Sequence, residues 1–329
     1  MKNKIFNSNS IYQLLLFLLL TRREERDLFI VGDAFPEKVR KNLDNSIFVG
    51  NDMVRFDSEN KVKYLFNYVL QLIKLRQLYH SKLKFIKDKE IYGATIFAPL
   101  FAKDNIVYVL EDGTGSYVKK EDLGSSFFWQ IKKYLHRIFL GTSDNFNTER
   151  QKYTSKIFYT GIGTIPSDVL PKAEIINIQQ LWDDKNDLDK NEILRIFNIQ
   201  PDVKDKVQNR SVILFTQTLN EDKLVQTEEE KIEIYRKALT DVDYSTVIIK
   251  PHPRETTDYA KFFPGTCVLD GQLPFQLLSL NGVKLKKAIT LFSTAALSLD
   301  ADVEIKWYGT SLSKTLAKKY GSIPISKFR

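Results

Sequence analysis

The sequence predicts an α/β protein made of two halves of similar size, each a mostly parallel sheet covered by helices. Three observations predict it. The chain has 329 residues, more than one small domain needs and enough for two of about 150. Short β-type runs interleave with helical patterns, pause in a proline- and acid-rich interval, and restart near residue 211; that alternation is the pattern of a helix-covered parallel sheet. Hydrophobic residues are 43% and charged residues 27%, a globular balance that excludes a mainly disordered chain.

Each element follows from local pattern. Lys4-Ile5-Phe6 reads as a first strand and Ile11–Thr21 as a helix. Leu28 to Gly32 is a continuous apolar run ending in glycine, as suits a strand buried on both faces. Residues 61–87 carry Tyr64, Leu65, Tyr68, Val69, Leu72, Ile73 and Leu75 at helical spacing, which predicts a long amphipathic helix. Residues 94–97 and 106–110 read as strands. Prolines at 166, 171 and 201 and the acidic run 183–187 mark connecting segments. Strands are expected again at 211–215, 246–250 and 287–292. A helix is expected at 227–239, opened by Thr227 with Glu230 three residues on, and another beginning at Ser293. The predicted division is an N-terminal domain 1–165, a linker 166–210 and a C-terminal domain 211–329.

Lysine and arginine number 49 against 41 acids, a formal charge of +8 that points to an anionic partner: a nucleotide, a nucleic acid or an anionic membrane face. One cysteine, Cys267, excludes an internal disulfide framework and a cysteine-based zinc site. The three histidines, His80, His136 and His252, are too dispersed in sequence to suggest a metal centre. The apolar run 11–20 has about half the ~20 residues a membrane span needs and lacks a small-residue cleavage site. It is expected to be a buried helix of a cytoplasmic protein.

In open parallel sheets, ligands bind beyond the carboxyl ends of the strands, and three polar clusters follow predicted strands. Glu111-Asp112-Gly113 follows 106–110; adjacent carboxylates on a tight turn can supply a general base, although a solvated acidic turn has the same sequence. Lys250-Pro251-His252-Pro253-Arg254 follows 246–249. Its prolines restrict the backbone on both sides of the histidine, and the cations suit it to donate to a phosphate; the plain alternative is a loop whose prolines end a strand. Phe292-Ser293-Thr294 offers two hydroxyls and free backbone N–H groups for an anion, or Ser293 is simply an N-cap.

In this order, the three clusters resemble the D/E-D/E-G, H-P and S-S/T motifs of bacterial sialyltransferases. The strand end Phe215-Thr216-Gln217 and the Lys-Pro-His-Pro-Arg loop are most similar to glycosyltransferase family 52, the lipooligosaccharide and capsule group. Ser293-Thr294 stands where a serine pair is common, and both hydroxyls are kept. The resemblance implies a GT-B arrangement, two Rossmann-like domains facing a cleft, with CMP held mainly by the C-terminal one. It also implies CMP-sialic acid as donor, a galactose-type glycan as acceptor, and a homodimer. Asp112 would then be the general base. His252 would stabilise the departing phosphate together with Ser293 and Thr294. Glu111, Gly113, Thr216, Gln217, Lys250, Pro253 and Arg254 would contact substrate or nucleotide. A donor with one phosphate has less need of a divalent metal than a sugar diphosphate, so no cofactor or metal ligand is expected.

Other readings stay open. Glu221 and Asp222 follow the strand 211–215 and could supply the base in place of Asp112. The triplets Asp187-Leu188-Asp189 and Asp241-Val242-Asp243 have D-x-D form, but lie in the connecting region and at a strand's N-terminal end, and read as solvated. Residues 127–139 mix aromatic residues with Lys132, Lys133, His136 and Arg137 at helical spacing, the pattern of a helix lying in a bilayer interface or of one packing its aromatic face on the core. A GT-B enzyme for another nucleotide sugar and a non-catalytic binder of anionic ligands are the competing functions. Nucleic acid ranks last: basic residues are scattered among acids, with no motif to organise them.

Overall fold

The computed structural model describes residues 3–32, 35–49, 61–93, 98–117, 127–141, 148–199 and 205–327. The chain forms two compact units: Met1–Gly161 with Ile165–Ile196, and Ile162–Thr164 with Phe197–Arg329.

The first unit is built on a seven-stranded sheet of β1 (Lys4–Ser8), β2 (Leu28–Val31), β3 (Ser46–Phe48), β4 (Glu90–Tyr92), β5 (Ile106–Leu110), β6 (Thr154–Tyr159) and β7 (Ala173–Ile175). Its order is β3-β2-β1-β4-β5-β6-β7, and every pairing is parallel. The apolar run after β1 forms the helix Ile11–Leu20, buried from Gln13 to Leu19. Phe17 meets Phe6 of β1 at 5.4 Å and Phe29 of β2 edge-on at 5.8 Å, so the run covers a sheet face inside the protein. No helix among the described residues is long and apolar enough to cross a membrane.

The long amphipathic helix spans Lys61–Leu78 and continues as a π-helical turn, Tyr79–Leu83. It buries Tyr64, Tyr68, Leu72 and Leu75. The strand expected at 94–97 lies outside the described residues; just before it, β4 occupies Glu90–Tyr92. The interval 166–210, expected as a linker, instead carries β7 and the helices Ile178–Asp183 and Asp187–Ile196. Ile165–Ile196 belongs to the first unit, where Trp182, Ile193 and Ile196 are buried. Pro166 O accepts Val169 N–H at 3.1 Å in a turn, Pro171 lies in the 3-10 turn Leu170–Lys172, and Pro201 lies outside the described residues.

The second unit contains β8 (Val212–Phe215), β9 (Val247–Lys250), β10 (Cys267–Val268), β11 (Lys287–Thr290) and β12 (Glu304–Trp307). They form a parallel sheet of order β10-β9-β8-β11-β12. β8 and β9 are buried at every residue, as continuous apolar runs require when both faces are covered. The helix Glu228–Ala238 starts where its capping residues lie. Thr227 Oγ1 accepts from Glu230 N at 3.2 Å, and the Glu230 carboxylate takes the N–H of Gln226 at 3.0 Å. No α-helix begins at Ser293; the chain makes a short 3-10 turn, Thr294–Ser298.

Candidate active-site residues at the sheet ends

Strand register places the polar clusters. In the first unit, Phe6, Tyr92 and Tyr108 form one row across β1, β4 and β5, so the chain beyond Ser8 and beyond Leu110 leaves the same edge of the sheet. Glu111 and Asp112 follow β5 there and diverge completely in environment.

Glu111 is fully buried. It accepts Tyr12 Oη at 2.9 Å, Tyr117 Oη at 2.5 Å and Thr160 N at 2.7 Å, and the Thr160 hydroxyl as well. Burial and the charge of Glu111 together push the Tyr12 phenol far above its ordinary value. With its lone pairs filled from β1's following helix and β6's end, Glu111 anchors the turn; it is not exposed for substrate as the sequence reading expects. Asp112 is exposed. Its N–H donates to Ser116 Oγ at 2.8 Å, and its carboxylate accepts Ser10 Oγ at 2.6 Å. Ser10 is also the N-cap of the helix Ile11–Leu20. Gly113 opens the 3-10 turn Gly113–Tyr117 with φ of +63°, a left-handed conformation that favours glycine. This geometry presents one carboxylate to solvent and holds its neighbour inside.

In the second unit, Lys250, Phe215 and Thr290 share one row. The His loop, Thr216-Gln217 and Ser293-Thr294 therefore emerge from one edge, with β9 and β11 flanking β8, about 10 Å apart. His252 is half-buried. Arg254 N donates to its Nδ1 at 3.2 Å, which leaves Nε2 as the protonated nitrogen of the neutral ring. Burial first, and the Arg254 charge second, hold its pKa below the ordinary histidine value. Ser293 makes no side-chain capping bond within the described residues, so its hydroxyl is not used as an N-cap. Its N–H donates to Thr290 Oγ1 at 2.9 Å.

Several expected ligand contacts have structural partners instead. Lys250 is buried, its ammonium donating to Pro251 O at 2.9 Å and Gly271 O at 2.7 Å; burial brings its pKa down to about 8. Gly271 sits so close under the loop that a Cβ would lie 3.1 Å from His252 O. Thr216 Oγ1 donates to Glu255 at 2.5 Å, and the Gln217 side-chain oxygen accepts Phe292 N at 3.1 Å, tying β8 to β11. Gln272 donates to Pro253 O at 2.9 Å. Arg254 grips Asp222 through two bonds of 2.7 and 2.8 Å.

That grip, with the Thr218 hydroxyl at 2.5 Å, brings Asp222 down to about 2, which makes it a poor base. Glu221 is bound by Lys231 at 2.9 and 3.0 Å. The D-x-D triplets have local duties. Asp243 caps the turn Tyr244–Thr246 by accepting Ser245 N, Asp241 has φ of +65°, and Asp187 and Asp189 occupy the first turn of a helix.

The sequence reading passes over Ser10, Tyr12, Tyr117 and Thr160 in the first unit, and Lys231, Glu255 and Tyr259 in the second. Lys231 carried a usable signal: it shares the 231, 234, 235, 238 face of its helix with Ile234, Tyr235 and Ala238, where a cation must find a buried partner. The helix Phe127–Leu140 turns part of its basic face inward. Lys132 is buried, donates to Tyr64 Oη at 2.9 Å and lies 4.7 Å from the Tyr68 ring centroid. His136 stacks on Tyr68 at 5.7 Å.

Comparison with known proteins agrees with this fold. The chain is 33% identical over 326 residues, 97% of each chain, to an uncharacterized protein of Haemophilus influenzae. It is similar in structure to the alpha/beta-galactoside alpha-2,3-sialyltransferase of Photobacterium phosphoreum, with TM-score 0.55, 14% identity, and 96% of this chain and 94% of that one covered. A 2,6-sialyltransferase of Photobacterium sp. JT-ISH-224, solved with CMP and lactose, matches with TM-score 0.57 and 11% identity over 96% of this chain and 75% of that one. These likenesses show the fold: two Rossmann-like parallel sheets of the GT-B kind. The family model of glycosyltransferase family 52 matches residues 33–316, and the chain belongs to that family.

Proposed function

We propose that the chain is an inverting sialyltransferase that moves sialic acid from CMP-sialic acid to a galactose-type terminus of a bacterial surface glycan, lipooligosaccharide or capsule. The carrying observation is His252: a neutral imidazole whose Nδ1 is occupied by Arg254 N–H, at the carboxyl edge of a parallel sheet that also bears the Ser293 and Thr294 hydroxyls. A solved protein of the same fold binds CMP and lactose, which supports this donor and acceptor chemistry.

In the reaction, the acceptor hydroxyl oxygen bonds to the anomeric carbon and its proton passes to the Asp112 carboxylate, oriented by Ser10. The carbon–oxygen bond to the phosphate breaks on the opposite face, which inverts the anomeric centre. Its electron pair leaves with CMP, and His252 Nε2–H and the hydroxyls of Ser293 and Thr294 meet the charge that builds on the phosphate. The donor's single phosphate carries less charge than a diphosphate, and these donors substitute for a divalent cation.

The test is turnover with CMP-sialic acid beside UDP- and GDP-sugars, using lactose as acceptor. Transfer from the CMP donor alone is expected. Activity with a UDP- or GDP-sugar and none with CMP-sialic acid overturns the proposal.

A further inference from the structure

His252 sits where the sheet's own hydrogen bonds stop. The last ladder bond runs from Thr216 N to Lys250 O at 3.2 Å, and Pro251 and Pro253 have no N–H to give. Both backbone groups of His252 go to one residue: its N–H donates to Glu255 Oε2 at 2.6 Å, and its C=O accepts Glu255 N at 2.9 Å. The Glu255 side chain has 0% exposure. Its oxygens also accept Thr216 Oγ1 at 2.5 Å, Tyr259 Oη at 2.6 Å and Lys231 Nζ at 3.2 Å. Four donors fill the lone pairs of a carboxylate, so Glu255 has no capacity left for substrate. Lys231, equally buried, is shared with Glu221 and supplies the countercharge.

We infer that Glu255 is the positioning residue of this site: buried, charged and locked by Lys231, Tyr259 and Thr216, it fixes the His252 backbone and so aims Nε2–H at the departing phosphate. The inference rests on His252 acting on the donor. It also assigns a use to a conjunction of groups that core packing leaves unexplained, since a buried ion pair with hydroxyl partners adds little stability over apolar residues of the same size. The charge has a second effect. Arg254 and Lys250 disfavour a protonated His252, whereas Glu255 and Asp222 favour it, and Glu255 is the buried one of the two anions.

The experiment is imidazole nitrogen NMR on full-length protein labelled at histidine, with His252→Ala to assign the signal, alongside transfer kinetics. Glu255→Gln keeps an oxygen for His252 N–H but removes the charge; its expected result is a His252 titration midpoint lower by roughly 1 unit. Glu255→Ala removes the lock as well. There the single Nε2–H tautomer gives way to a mixture, and kcat falls roughly 10²-fold with the donor KM within threefold. Wild-type midpoint and tautomer in both variants overturn the inference. If Glu255→Ala fails to fold, the pair Lys231→Met with Glu255→Gln leaves no stranded buried lysine and carries the same midpoint expectation. The titration needs no donor sugar, so a chain inactive with CMP-sialic acid still answers it, and the two failures stay separate.

Discussion

Replacing Lys231 by methionine separates the cost of a buried charge from that of lost packing. Lys231 and Glu255 have side chains with 0% exposure and Glu221 has 15%; the ammonium lies 2.9 to 3.2 Å from both carboxylates. Methionine fills nearly the same volume, so the packing beside Ile234 and Tyr235, buried on the same helix face, changes little. What is lost is the buried cation that bridges two carboxylates, and both carboxylates stay behind, one of them with a side chain at 0% exposure. Removing one member of a buried pair costs about 3–5 kcal/mol. At about 1.4 kcal/mol per tenfold, amides of β8 and β9 should exchange with solvent roughly 10²–10⁴-fold faster, read by hydrogen-exchange mass spectrometry of full-length protein. Converting Glu221 and Glu255 to glutamine in the same chain removes the stranded charges, and most of the protection should return. An acceleration under tenfold in Lys231→Met, or no recovery in the triple variant, refutes the electrostatic account.

Three further outcomes are expected. Asp112→Asn and His252→Ala each lower the transfer rate by roughly 10²–10⁴-fold, as loss of a general base or a proton donor does; an Asp112→Asn rate within a few-fold of wild type moves the base elsewhere. Activity is expected to survive EDTA, and a loss on chelation that manganese restores would sink the metal-free mechanism. Burial, with Lys132 adding to it, holds His136 at about 4, against an ordinary 6.5. A histidine whose folded pKa is depressed contributes stability that is complete above 6.5 and is lost as pH falls toward 4. The first unit should therefore lose about 3 kcal/mol across that window, and His136→Phe should flatten its urea midpoint over pH 6.5–4.

The elements readable from sequence were those with long, uniform burial. β8 and β9 are apolar at nearly every position, Ile11–Leu20 is an unbroken apolar run but for Tyr12 and Gln13, and Glu228–Ala238 carries its capping pair, Thr227 and Glu230, in plain view. β3, β7 and β10 have three, three and two residues, too few for any period to register, and their pairing partners supply what they lack. The interval 166–210 misleads for the same reason: prolines and acids mark turns, but the short helices between them are held by Trp182, Ile193 and Ile196 in a core contributed by distant segments.

The sequence by itself determined the fold class, the parallel sheets and, in each sheet separately, the carboxyl edge from which Asp112 or His252 and Ser293 emerge, because these depend on local burial pattern and on where strands end. Only the tertiary structure decided what each neighbouring charge does. Glu111 and Asp112 are adjacent and chemically similar, yet one is closed by Tyr12, Tyr117 and Thr160 and the other meets solvent. Lys250, Arg254, Glu221 and Asp222 have the sequence of a ligand-binding cluster, but hydrogen bonds across β8, β9 and the helix Glu228–Ala238 engage them within the protein. A side chain's chemistry depends on burial and on partners far away in sequence, and those are properties of packing that no local spacing encodes.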